Sequence, residues 1–168
     1  MLRTPRLLLR RFEPTDVDDA LAYRDDPEFA RFLSHIPQPF TRADAEAFVT
    51  MNMTEPWDTL PTFAVVLEGR VIGTVNLEID AAARAAMIGY AIGRAHWGRG
   101  IAVEAARAAI SWAFATHALV EIWASTHVDH VQSRRVLEKL GMTLDAVASA
   151  AHERGEVVYR LRGPTGGP

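Results

Sequence analysis

The run Arg94-Ala95-His96-Trp97-Gly98-Arg99-Gly100-Ile101-Ala102 sets a glycine-bracketed arginine between a β-compatible stretch and a long alanine-rich helical pattern. Glycine lets the backbone bend and approach a ligand closely, and the first N–H groups of a helix have no intrahelical acceptor. With the positive end of the helix dipole added, the junction reads as an anion cradle of the kind that holds phosphate. Without a ligand, the same residues make a plain turn and helix start. A P-loop needs a glycine followed by Lys and Ser/Thr, and a dinucleotide fold needs a third glycine with an acidic residue about 20 positions on. Neither pattern is present.

The chain has 168 residues, 49% of them apolar, which is enough for one core and too little for two ordinary domains. We therefore expect one domain over residues 1–162, followed by a frayed tail from Gly163 to Pro168. With no cysteine, disulfides, thiolate metal sites and a cysteine acyl-enzyme are all excluded. No stretch approaches the roughly 20 apolar residues of a membrane span and no secretory signal opens the sequence, so cytoplasmic residence is expected, with no membrane partner and no metal. The net charge of -3 argues against a nucleic-acid partner, which usually needs a basic face.

Strand and helix patterns alternate along the chain. Arg6 to Phe12 reads as a strand stopped by Pro14. Thr15 with Asp18, and Thr41 with Asp44, resemble capping boxes that open helices reaching about Asp25 and Thr54. Thr62 to Leu67 and Val71 to Ile79 are β-branched runs around Glu68-Gly69-Arg70, a hairpin signal. Met87 to Ile92 is the strand that enters the glycine loop. Ala105, Ala109, Ile110 and Ala113 give one apolar stripe to a helix from Gly100 to Thr116. Leu119 to Ser125 returns as a strand, Ser133 to Leu140 is a helix closed by left-handed Gly141, and Met142 to Ala148 and Glu156 to Leu161 are the last strands.

A second segment, His127-Val128-Asp129-His130-Val131-Gln132-Ser133-Arg134-Arg135-Val136-Leu137-Glu138-Lys139-Leu140-Gly141-Met142, complements the glycine loop. Together the two resemble the GNAT acetyltransferases, whose pyrophosphate loop follows the pattern Gln/Arg-x-x-Gly-x-Gly/Ala and whose later helix carries Asn-x-x-Ser/Ala and ends Glu-Lys-Leu-Gly-Phe. The opening Thr4-Pro5-Arg6-Leu7-Leu8-Leu9-Arg10, with Ile88-Gly89-Tyr90 and Trp97-Gly98, is similar to the subgroup of ribosomal-protein N-terminal acetyltransferases. The likeness spans about Thr4 to Arg162. It implies an α+β fold with a mixed, mainly antiparallel sheet, splayed central strands and flanking helices. It also implies acetyl-CoA as acyl donor and direct transfer to a primary amine in a ternary complex.

On this resemblance, backbone groups of Tyr90, Ala91 and Ile92 hold the pantetheine arm, and Trp97, Gly98, Arg99, Gly100, Ile101 and Ala102 receive the pyrophosphate. Ordinary ladder pairing is the alternative for the strand, and a solvated surface position for Arg99. Three departures stand out. Ala95 replaces the polar residue that opens the loop motif, with Arg94 as a substitute. His130 replaces Asn, still able to donate to pantetheine but titratable near neutral pH, or else simply a helix cap. Leu137 stands where many relatives carry a tyrosine acid. Ser133 fits that vacancy and would assist the leaving thiolate, unless its hydroxyl is spent on the backbone. For the general base, Glu78 is preferred to Glu121.

Between Glu13 and Asp58 stand eleven acidic residues, Glu13, Asp16, Asp18, Asp19, Asp25, Asp26, Glu28, Asp44, Glu46, Glu55 and Asp58, against Arg24, Arg31 and Arg42. The imbalance favours a cationic acceptor, with Phe32, Leu33, His35, Phe40 and Trp57 as cleft-lining or core residues. The preferred acceptor is a peptide or protein α-amino group, followed by a small amine such as a polyamine, amino acid or antibiotic. A catalytically silent acyl-CoA-binding module is the alternative outside enzymes, and a homodimer is left open.

Overall fold

A computed structural model describes residues 1–152 and 155–163. Eight strands, β1 (Leu2–Arg3), β2 (Leu8–Arg10), β3 (Thr62–Leu67), β4 (Arg70–Asp80), β5 (Ala85–Ile92), β6 (Glu121–His127), β7 (Thr143–Asp145) and β8 (Glu156–Arg162), form one sheet in the order β1-β2-β3-β4-β5-β6-β8-β7. The helices are α1 (Val17–Arg24), α2 (Pro27–Ala30), α3 (Arg42–Thr54), α4 (Ile101–His117), α5 (Val131–Lys139) and α6 (Ala146–Ala151).

The sheet is packed on both faces, and β3 shows why its sequence is an unbroken apolar run: all six of its residues are buried. Phe63, Val65 and Leu67 join a core with Ala105, Ala109 and Ala113 of α4, while Ala64 and Val66 join a second core with Ala20 of α1 and Val49 of α3. The alanine stripe lets α4 lie close to the sheet, so a larger side chain at fully buried Ala109 would overpack that contact at a cost of about 1–3 kcal/mol. On α3 the expected capping box forms, with Thr41 N–H donating to Asp44 Oδ2 at 2.8 Å and Asp44 N–H to Thr41 Oγ1 at 3.2 Å.

The strand that matters most is β5. It pairs with β4 along its whole length, from Asp80 opposite Ala85 to Gly73 opposite Ile92. Its other edge runs parallel to β6, and only Ala85, Ala86 and Met87 are paired there, with Glu121, Ile122 and Trp123. Beyond Met87 the two strands diverge, which frees the β6-facing backbone of β5 from ladder bonding. This is the expected splay in an otherwise antiparallel sheet.

Several expectations need correction. The first long strand shortens to Leu8–Arg10, because Thr4-Pro5-Arg6 turns back to form the β1–β2 pair, with Leu2 opposite Leu9. The first helix is capped two residues earlier than expected, by Glu13 and Asp16 in place of Thr15 and Asp18: Asp16 Oδ2 accepts the Glu13 N–H at 2.8 Å, and a 3-10 turn at Pro14–Asp16 precedes α1. The strand expected to Ala148 stops at Asp145, whose carboxylate accepts the Ala148 N–H at 2.9 Å and so starts α6 in an alanine-rich stretch. At the C-terminal end, Gly163 N–H donates to Val120 O at 2.8 Å, whereas residues 164–168 of the expected tail lie outside the described residues. Among the described residues, no helix is long and apolar enough to cross a membrane.

Candidate active site

The divergence of β5 and β6 opens a cleft of ≈ 910 Å³, walled by both strands, by α5, by the glycine loop, and on the far side by α3 and the segment around α2. Gly98, Gly100, Ile101 and Ala102 all line it. Gly98 and Gly100 adopt φ of 73° and 74°, in the left-handed region, and a Cβ at Gly98 would meet nothing within 4 Å. Gly100 is the N-cap of α4 and supplies no side-chain acceptor, so the first recorded bond onto its carbonyl comes from Glu104 N–H at 3.0 Å. Among the described residues no acceptor is recorded for the N–H groups of Gly98, Arg99, Gly100, Ile101 or Ala102. This row of free donors at the positive end of a 17-residue helix fits a pyrophosphate.

The loop is braced from the N-terminal segment, through contacts that nothing local in the sequence announces. Glu104 in the first turn of α4 accepts from Thr4 Oγ1 at 2.6 Å and from Arg6 Nε at 2.6 Å, while Arg6 Nη1 donates to the Arg99 carbonyl at 2.9 Å. Burial works against the charge on Glu104, but these donors outweigh it and hold its carboxyl below the usual range. The Thr4-Pro5-Arg6 opening is therefore a buttress for the cradle.

Three side chains of the loop region are committed elsewhere. Arg94, the expected substitute for the missing polar residue at Ala95, pairs with Asp26 at 2.7 Å and ties the loop to the start of α2. Trp97 Nε1 donates to the Ile92 carbonyl at 2.6 Å, which occupies one backbone acceptor at the end of β5. Arg99 is exposed, with Nη1 3.2 Å from His96 Nδ1, and its side chain is not part of the cleft wall.

On α5, Ser133 and His130 both line the cleft. Tyr90 of β5 reaches across the splay, its hydroxyl 3.0 Å from the Ser133 carbonyl oxygen and 3.0 Å from Ser133 Oγ. Burial pushes the Tyr90 phenol up to about 12, against the Ser133 hydrogen bond that lowers it, so it stays protonated. His130 is the N-cap of α5, with Nδ1 accepting the Ser133 N–H at 3.4 Å and its ring stacked 4.2 Å from that of Phe32. Burial, then the charge of Arg31 and the neighbouring His127, lowers its pKa. A neutral ring with Nδ1 as acceptor carries its proton on Nε2, which remains available to donate. Leu137 is buried in the core at 1% exposure.

Of the two glutamates, Glu78 is exposed on β4 opposite Met87 and lines the cleft. Glu121 sits at the closed end of the β5–β6 ladder opposite Ala85, bonded to Arg160, which also pairs with Asp145 at 2.6 Å. It is outside the cleft. Between Glu78 and the glycine loop, Asn76 lies over Gly89, where a Cβ would stand 2.6 Å from Asn76 Oδ1. Gly89 thus admits an amide to the cleft floor.

The acidic stretch does not face the cleft as a field. Asp16 takes a bidentate bond from Arg10, Asp19 pairs with Arg70 at 2.6 Å, Asp18 pairs with Arg42, and Asp25 and Asp44 accept backbone N–H groups. Of the eleven carboxylates only Glu55 reaches the cleft wall, where Arg24 also lies. Phe32, Leu33 and His35 line the cleft as expected, whereas Phe40 is buried in the α1–α3 core and Trp57 packs edge-on against Phe63 at 4.9 Å. No group of three or more His, Cys, Asp or Glu suited to a metal ion occurs among the described residues.

Known proteins resemble this chain in sequence or in fold. An N-acetyltransferase from Bacillus licheniformis, the uncharacterized p20, is 30% identical over 142 residues, spanning 83% of this chain and 80% of that protein. A GNAT-family acetyltransferase structure from Bacillus anthracis superposes with a TM-score of 0.82 at 26% identity, covering 96% of this chain and 97% of the other. Two more distant structures share the fold. They are the microcin C7 self-immunity acetyltransferase MccE in complex with acetyl-CoA and AMP (TM-score 0.83, 17% identity, 95% and 94% coverage) and a protein from Vibrio cholerae described as a ribosomal-protein-serine acetyltransferase (0.80, 20%, 96% and 97%). The acetyltransferase (GNAT) domain model matches residues 6–143, and this chain belongs to the GNAT family of acetyl-CoA-dependent N-acetyltransferases.

Proposed function

We propose that the acceptor is a protein or peptide α-amino group, acetylated directly within a ternary complex. The observation that carries this reading is one continuous cleft, with Gly98, Gly100, Ile101 and Ala102, whose backbone N–H groups are unpaired, the Ser133 hydroxyl and the Glu78 carboxylate all on its wall. The far side, lined by α3 and the α2 segment, leaves room beside the acyl donor for the end of a chain. The Vibrio cholerae neighbour and the Ile88-Gly89-Tyr90 and Trp97-Gly98 motifs support the same subgroup, by analogy of fold and sequence.

Acetyl-CoA supplies an activated acyl carbon. The chain holds its pyrophosphate at Gly98, Gly100, Ile101 and Ala102 and its pantetheine amides along the unpaired edge of β5 and at His130 Nε2. Glu78, directly or through water, takes a proton from the incoming ammonium. The amine lone pair then forms the N–C bond as the C–S bond breaks, the surplus proton on the new amide nitrogen passes to the thiolate so that CoA leaves as the thiol, and Ser133 Oγ donates a hydrogen bond to the departing sulfur. A small amine is the second reading, but a polyamine is poorly matched to a cleft whose wall includes Arg24.

Calorimetric titration with acetyl-CoA, followed by thiol release across N-terminal peptides and small amines, tests the proposal. Turnover of peptides supports it. Turnover confined to small amines replaces it, and binding without turnover on either panel favours a silent acyl-CoA-binding module.

A further inference from the structure

Arg24 is the anomaly of the molecule. Arg6, Arg10, Arg42, Arg70, Arg94 and Arg160 all pair with carboxylates at or near the surface. Arg24 is 6% exposed, yet among the described residues it has no carboxylate within ion-pairing distance, and its Nε finds no hydrogen-bond partner at all. Its guanidinium carbon lies 3.8 Å from the centre of the Phe48 ring and 5.1 Å from that of Phe40. Aromatic faces offset part of the lost hydration of a cation, and the polar side chain beside it is the buried Tyr23 hydroxyl, which stays neutral and so cannot balance the charge. A buried charge left in that state is costly, and folds seldom keep one without a use.

The location supplies the use. Arg24, Phe48 and His35 share the wall of the cleft on the side away from the glycine loop, and the charge of Arg24 is felt at His35, whose pKa it lowers after burial has done most of that work. Guanidinium presents a planar fork that matches carboxylate or phosphate through two parallel bonds. Asp16, Asp18, Asp19, Asp25, Asp26 and Asp44, which would otherwise repel such a group, are bonded to other partners, and Glu55 is the one carboxylate of that stretch on the cleft wall.

Resting on the reading of this half of the cleft as the acceptor site, we propose that Arg24 anchors an anion subsite, so that the amine acetylated here carries a carboxylate or phosphate on the same molecule. The anion can belong to an acidic residue at a peptide N-terminus or to a small amino acid or aminoalkyl phosphate. Its chemistry is the same in each.

The test compares acceptors that differ only in that charge, on the full chain. The pairs are tripeptide amides beginning with aspartate or asparagine, alanine and its amide, and phosphoethanolamine and ethanolamine. We expect kcat/KM to favour the anionic member at least 10-fold in the pair that matches the natural source, mainly through KM. Arg24→Met should bring the two members within about 2-fold, and Arg24→Lys, which keeps the charge without the fork, should fall between. A melting curve establishes that each variant folds. In parallel, inorganic phosphate added to protein saturated with CoA, which fills the cradle, should raise the melting temperature of the wild type but not of Arg24→Met. Equal kcat/KM within every pair, or a preference or phosphate shift that survives in Arg24→Met, overturns the proposal. If no acceptor turns over, the phosphate shift decides. Loss of acetyl-CoA binding would instead undo the underlying enzyme reading, which the calorimetric titration registers separately.

Discussion

The Tyr90 hydroxyl and Ser133 Oγ stand 3.0 Å apart, joining β5 to α5 across the open side of the splay. Because the same phenol also bonds the Ser133 carbonyl at 3.0 Å, it fixes both the serine rotamer and the height of the helix turn that carries it. Ser133→Ala should lower kcat about 10-fold, equivalent to about 1.4 kcal/mol, with acetyl-CoA affinity held. Tyr90→Phe should lower kcat several-fold through Ser133, and the double variant should be no worse than Ser133→Ala alone, since coupled groups are not additive. Single-turnover kinetics on the three variants check this. Full additivity would remove the link.

The cradle depends on backbone that only glycine adopts freely. In Gly100→Trp a bulky side chain stands at a φ of 74° on the N-cap of α4. We expect strain on the order of 1 kcal/mol and at least a 100-fold loss of acetyl-CoA affinity by calorimetry. Wild-type affinity in this variant would move the pyrophosphate elsewhere.

Glu78→Gln removes a carboxylate from the cleft while keeping its shape. General-base catalysis is typically worth about 10²–10⁴-fold, so a fall in kcat/KM of about 100-fold near neutral pH is expected, partly recovered at high pH where the acceptor amine is already deprotonated. A pH–rate profile identical to wild type would exclude Glu78.

His130 gives the site a pH dependence with a definite sign. Its pKa is lowered in the folded chain by burial, with Arg31 and His127 adding to the effect, and the neutral ring caps α5 through Nδ1. Protonation is therefore easier in the unfolded chain. The stabilisation is present above the ordinary imidazole value and is lost as pH falls toward the lower, folded value. Between about pH 7 and about pH 5 the melting temperature of wild type should drop more than that of His130→Asn, which caps without titrating. Parallel curves would show that His130 contributes no linkage.

Much of this architecture is legible locally. The β3–β4 hairpin follows from two β-branched runs around Gly69, and the start of α3 follows from Thr41 and Asp44, because both signals lie within a few residues of the structure they cause. The glycine loop is readable for the same reason. What was not legible is set by tertiary placement. Nothing near Glu104 announces that Arg6, 98 positions away, will brace it. The acidic stretch reads as an open field only until Asp16, Asp18 and Asp19 meet Arg10, Arg42 and Arg70. Arg24 carries no sign of its burial, since an arginine ending a short helix is ordinarily solvated. Ala146 to Ala148, expected as the end of a strand, opens α6 instead, because strand and helix compete over so short an apolar run.

The sheet order has a consequence for biosynthesis. Strand β8 lies between β6 and β7, and among the described residues β7 pairs with nothing else. In order of emergence from the ribosome, β7 is an orphan and β6 has one unprotected side until Glu156 to Arg162 follow. The wall that carries Ser125 and His127 is therefore finished last, and a chain interrupted before Glu156 would present one bare edge of β6 and both edges of β7 for association with its neighbours.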